Sequence, residues 1–236
     1  VCSSDLGMFI EQHDQSLSHR KVIADSVHSC GSVLDFGGGF GTLARMIASG
    51  EGSPRVDVWD PYPPAHGIKA CVTYPNIHFI SDPADNAYDA LVCTDVLEHV
   101  HDPLKLLALM VSKVKLGGRL IIYNCFYRVV LCHLPSTFHF RITFDLFCQA
   151  LGLEVDGLTP DGHATVYTKR LKVEPDWRLL RKLERQSALS FKLDEWQRSH
   201  PDAGRLRRTF AIFVADPSYY LGKISDILKT SHLLED

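Results

Sequence analysis

The chain has 236 residues, which is enough for one α/β domain with an appendage or at most for two small domains. Its composition is ordinary for a soluble globular protein, with 45% hydrophobic residues, 22% charged residues and a formal net charge of −3. No apolar run approaches the length of a membrane span and residues 1–9 lack the pattern of a secretion signal, so we expect a cytoplasmic protein that makes no membrane contact.

The elements follow one another as apolar runs that alternate with helical patterns. Strands are predicted at 32–36, 55–59, 76–80, 88–93, 119–124, 153–158 and 164–168. Helices are predicted at 8–28, 41–49, from Pro103 to the Gly117-Gly118 pair, from Phe144 to Gly152, and in the tail at 177–189, 205–214 and 219–228. Asp102 and Thr143 are the expected caps of the helices that follow them.

This alternation predicts an α/β fold with a doubly wound, mostly parallel seven-stranded sheet. The turn at 160–162 is too short for a crossover, so we expect the last strand to be antiparallel. We divide the chain into an N-terminal helical segment (1–30), a doubly wound α/β domain (31–170) and a helical C-terminal extension (171–236). The extension could be a helical layer, a substrate cap or a dimer surface.

The tail also carries an excess of positive charge. Residues 169–208 hold twelve Lys and Arg against six Asp and Glu, a balance of +6, which leaves −9 for the rest of the chain. Such a segment can meet an acidic partner, but it is more often a solvated helical face.

The cysteines carry information about the compartment. All seven are scattered without a Cys-x-x-Cys pair, and several, such as Cys93 and Cys148, lie inside apolar runs. We therefore expect buried free thiols in a reducing cytoplasm and neither a disulfide nor a zinc site.

The stretch SVLDFGGGFGT at 32–42 is the strongest local signal in the chain. A buried strand turns sharply into a helix through Gly37, Gly38, Gly39 and Gly41. Such a turn lets a ligand approach the backbone closely, and the helix that follows presents unpaired N–H groups. The stretch predicts the seat of a nucleotide-type cofactor.

Six blocks in order, from Val33 to Lys169, resemble the class I (Rossmann-like) S-adenosylmethionine-dependent methyltransferases. They are VLDFGGGFG, VDVWDP, IHFISDP, YDALVCTDVLEHVHDP, VKLGGRLIIYN and FDLFCQALGLEV. The resemblance implies S-adenosylmethionine as cofactor and a small-molecule methyl acceptor as partner. A nicotinamide-dependent oxidoreductase is the competing class, but its phosphate fingerprint requires glycine where Thr42 stands.

The resemblance also implies roles for individual residues. Those for cofactor binding are Asp35, Gly37, Gly38, Gly39, Asp60, Pro61, Asp82, Pro83, Thr94 and Asp95. Asp60 would hold the ribose hydroxyls, Asp82 would face the adenine amino group, and Asp95 would line the sulfonium end. Asp60 and Asp82 could instead be turn residues before proline. Because six residues separate Asp82 from Asp89, we expect a turn in place of a helix there.

A hydroxyl acceptor also needs a proton acceptor, and histidine titrates near neutral pH. The candidates are His99, His101, His133 and His139. We rank His139 and His99 first as catalytic residues, each against a structural role, and take His101 for a surface residue. The acceptor pocket is predicted from Tyr123, Asn124, Phe126, Tyr127, Phe138 and Phe140.

Two alternatives stay open beside this small-molecule methyltransferase. Asp95, Glu98, His99 and His139 are similar to the metal ligands of the small-RNA 3′-terminal 2′-O-methyltransferases, with the basic segment as a phosphate contact. Against this, Asp95 stands where that family has Glu, and the D-V-L-E-H string is widespread, so we predict neither a metal nor a nucleic-acid partner. The chain could also be a catalytically silent scaffold, and its C-terminal helices could form a homodimer.

Overall fold

The computed structural model describes residues 13–199, and the helices predicted at 205–214 and 219–228 lie outside them. Its helices are α1 (Asp14–Asp25), α2 (Thr42–Ala48), α3 (Ala65–Cys71), α4 (Pro103–Lys113), α5 (Phe144–Ala150) and α6 (Trp177–Ser199). Its strands are β1 (Ser32–Phe36), β2 (Arg55–Trp59), β3 (Ile77–Ile80), β4 (Tyr88–Thr94), β5 (Val114–Tyr123), β6 (Leu153–Leu158) and β7 (Thr165–Lys169). Two 3₁₀ helices span Leu97–His99 and Pro135–Ile142.

The seven strands form one sheet in the order β3-β2-β1-β4-β5-β7-β6. The pairs from β3 to β5 are all parallel, whereas β7 is antiparallel to both β5 and β6. The predicted fold class is therefore confirmed, including the antiparallel last strand. The strand order reverses between β1 and β4, which are neighbours in the sheet, and this is the place where open α/β sheets bind ligands.

The alternation of side chains along each strand fills a hydrophobic core on both faces of the sheet. On β1, Val33 packs into the core that also contains Ile23 of α1 and Ile47 of α2. Leu34 packs into the opposite core, together with Leu107 of α4. Because both faces are buried, the central strands β1 and β4 are nearly continuous apolar runs, as expected for a doubly wound sheet, whereas the edge strand β6 is mostly exposed.

The structure corrects the predicted end of helix α4. The helix ends at Lys113, and Gly117 and Gly118 lie inside β5 rather than after the helix. The register between β4 and β5 is irregular there, since Tyr88 pairs with Val114 and Ala90 with Arg119. A Cβ on Gly118 would lie 2.6 Å from Val114 Cγ1, so this irregularity requires glycine.

Helix α3 was not predicted from the sequence. Its segment AHGIKAC has a glycine in the middle, which lowers helix propensity. A Cβ on Gly67 would lie only 2.7 Å from Phe40 Cα, so packing against the glycine turn, rather than helix formation, accounts for the residue.

The cysteines follow the expectation with one exception. Within the described chain, Cys30, Cys71, Cys93, Cys125 and Cys148 are thiols that form no disulfide. The expectation is wrong for Cys132, which is disulfide-bonded. Within residues 13–199, none of the helices has the length and apolar character to cross a membrane.

Candidate active site

The predicted cofactor residues lie where successive strands end. The glycine turn follows β1, Asp60 follows β2, Asp82 follows β3 and Asp95 follows β4. Because β1–β4 are parallel neighbours, all four segments emerge at one edge of the sheet. The fold thus brings the sequence-predicted cofactor residues to the edge where the strand order reverses.

The glycine turn has a backbone that requires glycine. Gly37, Gly39 and Gly41 have φ angles of +76°, +45° and +68°, which side chains disfavour. Gly38 lacks the positive φ, but a Cβ there would lie 2.7 Å from both Asp35 Oδ2 and Val58 Cγ1. The turn therefore presents bare backbone to a ligand, and its conformation is set by tertiary contacts.

Asp60 is bonded directly to this turn. Its Oδ2 accepts a hydrogen bond from Gly39 N–H at 3.1 Å, and its Oδ1 accepts one from Tyr62 N–H at 2.7 Å, across the exposed Pro61. A carboxylate has about four acceptor positions, so each oxygen can accept a further bond. Both oxygens of Asp60 thus keep acceptor capacity beside the glycine turn, and its contact with ribose hydroxyls stays a prediction.

Asp35 is a buried carboxylate, only 2% exposed, beneath the turn. Within the described residues, its Oδ2 has no hydrogen-bond partner. Burial raises the pKa of Asp35 to about 7, and the positive charge of Arg20 on α1 opposes that rise. A buried carboxylate oxygen without a donor fits a ligand that carries positive charge, as S-adenosylmethionine does.

The predicted adenine side of the site is less enclosed. Asp82 is exposed and Pro83 is buried, and the connection from β3 to β4 contains no helix, as predicted. Trp59 at the end of β2 donates its indole N–H to Ser81 O at 3.2 Å, which holds this connection against β2. The contact of Asp82 with adenine stays a prediction.

Asp95 follows Thr94, the last residue of β4, and has a left-handed backbone with φ of +56°. Its N–H donates to Tyr123 O at 3.0 Å, and its Oδ2 lies 3.6 Å from the guanidinium of Arg20. Burial raises the pKa of Asp95, and Arg20 opposes the rise. Sequence reasoning missed Arg20, because only the fold brings α1 to the end of β4.

A second group of polar side chains lies beside Asp95. Ligand-type atoms of Glu98, His99 and His133 all lie within 4.8 Å of one another. The His99 and His133 rings meet edge to face, with centroids 4.8 Å apart. Glu98 and His99 are members of the metal set considered from the sequence, but His133 and not His139 completes this group.

The three side chains are held by backbone groups. Glu98 Oε1 accepts from Cys125 N–H at 2.7 Å, while its buried Oε2 has no partner within the described chain. His99 Nδ1 contacts Cys132 O at 3.1 Å, and His133 Nδ1 contacts Tyr127 O at 2.6 Å. Burial raises the pKa of Glu98 to about 7 and lowers that of His99.

His139 is not a member of this group within the described residues. Its ring is only 5% exposed, and its Nδ1 lies 2.8 Å from Ser187 Oγ on α6. Burial lowers the pKa of His139 to about 4, so the ring is neutral at pH 7. Thr143 does not cap α5, because its hydroxyl bonds to His139 O and Ser187 Oγ instead. These contacts favour a structural role, and catalysis by His139 stays a prediction.

The predicted acceptor pocket is only partly accessible. Phe126, Phe138 and Phe140 are buried in the protein, whereas Tyr123, Asn124 and Tyr127 retain exposed surface. The rings of Tyr123, His163 and His19 form a stack that was not predicted from the sequence. The centroid of the His163 ring lies 3.7 Å from that of Tyr123 and 3.7 Å from that of His19. No local pattern indicates this stack, since its members come from β5, the β6–β7 turn and α1.

Comparison with known families gives this site a context. The family model described as "Methyltransferase domain" matches residues 13–170. The chain belongs to this methyltransferase family. The match confirms the resemblance to the class I S-adenosylmethionine-dependent methyltransferases. It also favours methyl transfer over the nicotinamide-dependent alternative. Among curated protein sequences, no match to the chain is found.

Solved structures share the methyltransferase fold at low sequence identity. Mitomycin 7-O-methyltransferase MmcR is 16% identical over 64% of this chain and 52% of its own, with a TM-score of 0.50. The 1,6-didemethyltoxoflavin-N1-methyltransferase of Burkholderia thailandensis is 16% identical over 66% of this chain and 78% of its own, also at 0.50. The CurJ carbon methyltransferase is 11% identical over 70% of this chain and 58% of its own, at 0.54. The chain therefore spans little more than half of MmcR and CurJ.

Proposed function

We propose that this methyltransferase uses S-adenosylmethionine to methylate a hydroxyl or amine of a small molecule. The observation that carries the proposal is the hydrogen bond from Gly39 N–H to Asp60 Oδ2, which joins the glycine turn to the acid after β2. The Burkholderia N1-methyltransferase, solved with S-adenosylhomocysteine, supports the choice of cofactor, since it has the same fold.

The chain's own residues suit the parts of that cofactor. Gly37, Gly38 and Gly39 would lie against its methionine and ribose parts, and Asp60 would accept from the ribose hydroxyls. The sulfonium carries a positive charge, which the carboxylates of Asp35 and Asp95 favour. Asp82 and Pro83 would flank the adenine, while Thr94 would line the methyl-bearing end.

Methyl transfer from a sulfonium is an in-line displacement. The acceptor's lone pair attacks the methyl carbon, the carbon–sulfur bond breaks, and its electrons remain on sulfur. The protein contributes by holding the two reactants in line and by excluding water. A hydroxyl must also lose its proton, whereas a neutral amine attacks before it loses one.

Two groups near the end of β4 can take that proton. The carboxylate of Asp95 is one. The other is His99, whose Nδ1 lies against Cys132 O and therefore carries the hydrogen, so that the lone pair of the neutral ring is on Nε2. The proposal that the acceptor is a small molecule is supported by the structurally similar mitomycin and didemethyltoxoflavin methyltransferases. The proposal also includes a cytoplasmic location.

The direct test is an incubation of the protein with methyl-labelled S-adenosylmethionine and fractionated metabolite pools. We expect label in a small-molecule product with wild type and a loss of more than about tenfold with Asp60→Ala. Glu154→Gln is the control, because Glu154 lies on the edge strand β6 and pairs with Arg170. Cofactor binding without transfer to any pool would favour the silent scaffold.

A further inference from the structure

We propose that Glu98, His99 and His133 form a site for one divalent first-row transition-metal ion, which binds the oxygen of the methyl acceptor. The metal site stands on the structure alone. The role of the metal toward the acceptor rests on the proposed function, and it narrows the acceptor to a hydroxyl or a pair of neighbouring hydroxyls.

The geometry of the three side chains meets the first requirement of a metal site. Their ligand-type atoms already lie within 4.8 Å of one another, although they come from the segments after two different strands. Bonds from zinc to imidazole nitrogen and carboxylate oxygen are about 2.0–2.2 Å long. Ligand atoms on one ion therefore lie about 3.4 Å from one another, and the separations of up to 4.8 Å in this group are close to that value.

Glu98 supplies a second, independent observation. Its side chain is 0% exposed, and within residues 13–199 its Oε2 accepts no hydrogen bond. A buried carboxylate without a partner is costly, and proteins compensate it with a positive charge or a metal. Its other oxygen is held by Cys125 N–H, so the carboxylate is fixed in orientation.

The imidazoles are oriented as metal-binding imidazoles usually are. The Nδ1 atoms of His99 and His133 each lie against a backbone carbonyl, which fixes the hydrogen on Nδ1 and the lone pair on Nε2. Two imidazoles with one carboxylate suit Zn²⁺, Fe²⁺, Co²⁺ or Mn²⁺, whereas Mg²⁺ and Ca²⁺ prefer oxygen ligands alone. The donor set leaves coordination positions for a substrate.

The place of the group connects it to methyl transfer. Asp95 precedes Glu98 by three residues and interacts electrostatically with it and with both imidazoles. An acceptor hydroxyl bound to the metal would lose its proton more readily, and Asp95 would take that proton, because the Nε2 lone pair of His99 would be on the metal. The resulting alkoxide oxygen attacks the methyl carbon, and the sulfonium leaves as the neutral thioether S-adenosylhomocysteine.

The first experiment measures metal binding without cofactor or acceptor. The full chain, stripped with a chelator, is titrated with Co²⁺ and followed by calorimetry and by the visible absorption of bound Co²⁺. We expect one ion per chain and an affinity loss of more than about tenfold in Glu98→Gln and in His133→Asn. His101→Asn is the matched control, because His101 is exposed and only two residues from His99. Equal affinities in all four proteins would overturn the site.

The second experiment separates this inference from the proposed function. Binding of S-adenosylhomocysteine is measured by calorimetry with and without chelator, and methylation of metabolite pools is assayed in parallel. We expect unchanged cofactor binding and loss of methylation, restored by Co²⁺ or Zn²⁺, when the metal is removed. Undiminished methylation in chelator would overturn the metal's role and leave the proposed function intact. Metal-dependent labelling of RNA ends alone would overturn the small-molecule acceptor.

Discussion

Acid should weaken the attachment of helix α6 through His139. The ring is buried against Ser187, and its folded-state pKa of about 4 lies below the ordinary value of 6.5. A base whose pKa is depressed in the folded state contributes its full stability above pH 6.5 and loses it as the pH falls toward about 4. The complete loss is limited to about 3 kcal/mol, and at pH 5 it amounts to about 2 kcal/mol.

The assay is urea unfolding of wild type and His139→Gln at pH 7.5 and at pH 5.0. Glutamine cannot titrate but can still hydrogen-bond to Ser187, and His101→Gln controls for the loss of an exposed histidine. Since other groups titrate in the same range, the informative quantity is the difference between the two proteins. Wild type should lose about 2 kcal/mol more than His139→Gln. Equal losses would mean that His139 titrates as if it were solvated, which would contradict its burial against Ser187.

Three further substitutions test the fold around the site. Asp102→Ala removes the acceptor of Lys105 N–H at the start of α4 and the ion-pair partner of Arg181 on α6. The free energy of unfolding in urea should fall by about 1–2 kcal/mol, and an unchanged midpoint would contradict both contacts. Gly38→Ala crowds Asp35 and Val58 and should cost about 1–3 kcal/mol, seen as a lower melting temperature, whereas a wild-type melting curve would refute the close packing. Asp35→Asn removes a carboxylate whose pKa is raised from 3.8 to about 7 by burial. The free energy of unfolding of this variant relative to wild type should therefore rise by up to about 4 kcal/mol between pH 4 and pH 7. A difference that does not depend on pH would refute the burial of the Asp35 carboxylate.

The sequence predicted those parts of the fold that are encoded locally. The bounds of β1, β2 and β6 agree with the prediction to the residue, because glycines and turn residues end each apolar run. Helix α3 was not predicted, since Gly67 lowers the helix propensity of its segment although it serves close packing against Phe40. The start of β5 was predicted wrongly, since the Gly117-Gly118 pair was taken for the end of helix α4. A local pattern cannot distinguish these two uses of glycine.

The same division holds for the candidate site. The glycine turn and Asp60 were predicted because motif, strand end and acid follow one another along the chain. The contact of Arg20 with Asp95 and the grouping of His133 with Glu98 depend on how α1 and the segment after β5 fold back. No spacing in the sequence distinguishes His133 from His139. Only the fold shows that His133 lies with Glu98 and His99, whereas His139 contacts Ser187 on helix α6.

Binding of the cofactor is the central claim, and isothermal titration with S-adenosylhomocysteine tests it most directly. Wild type should bind one molecule per chain. Asp60→Ala should bind about 1–3 kcal/mol more weakly, because the charge-assisted hydrogen bonds to the ribose are lost, while Glu154→Gln should match wild type. No heat from wild type at high protein concentration would contradict the account, and equal affinity of Asp60→Ala would show that the ribose does not lie at Asp60.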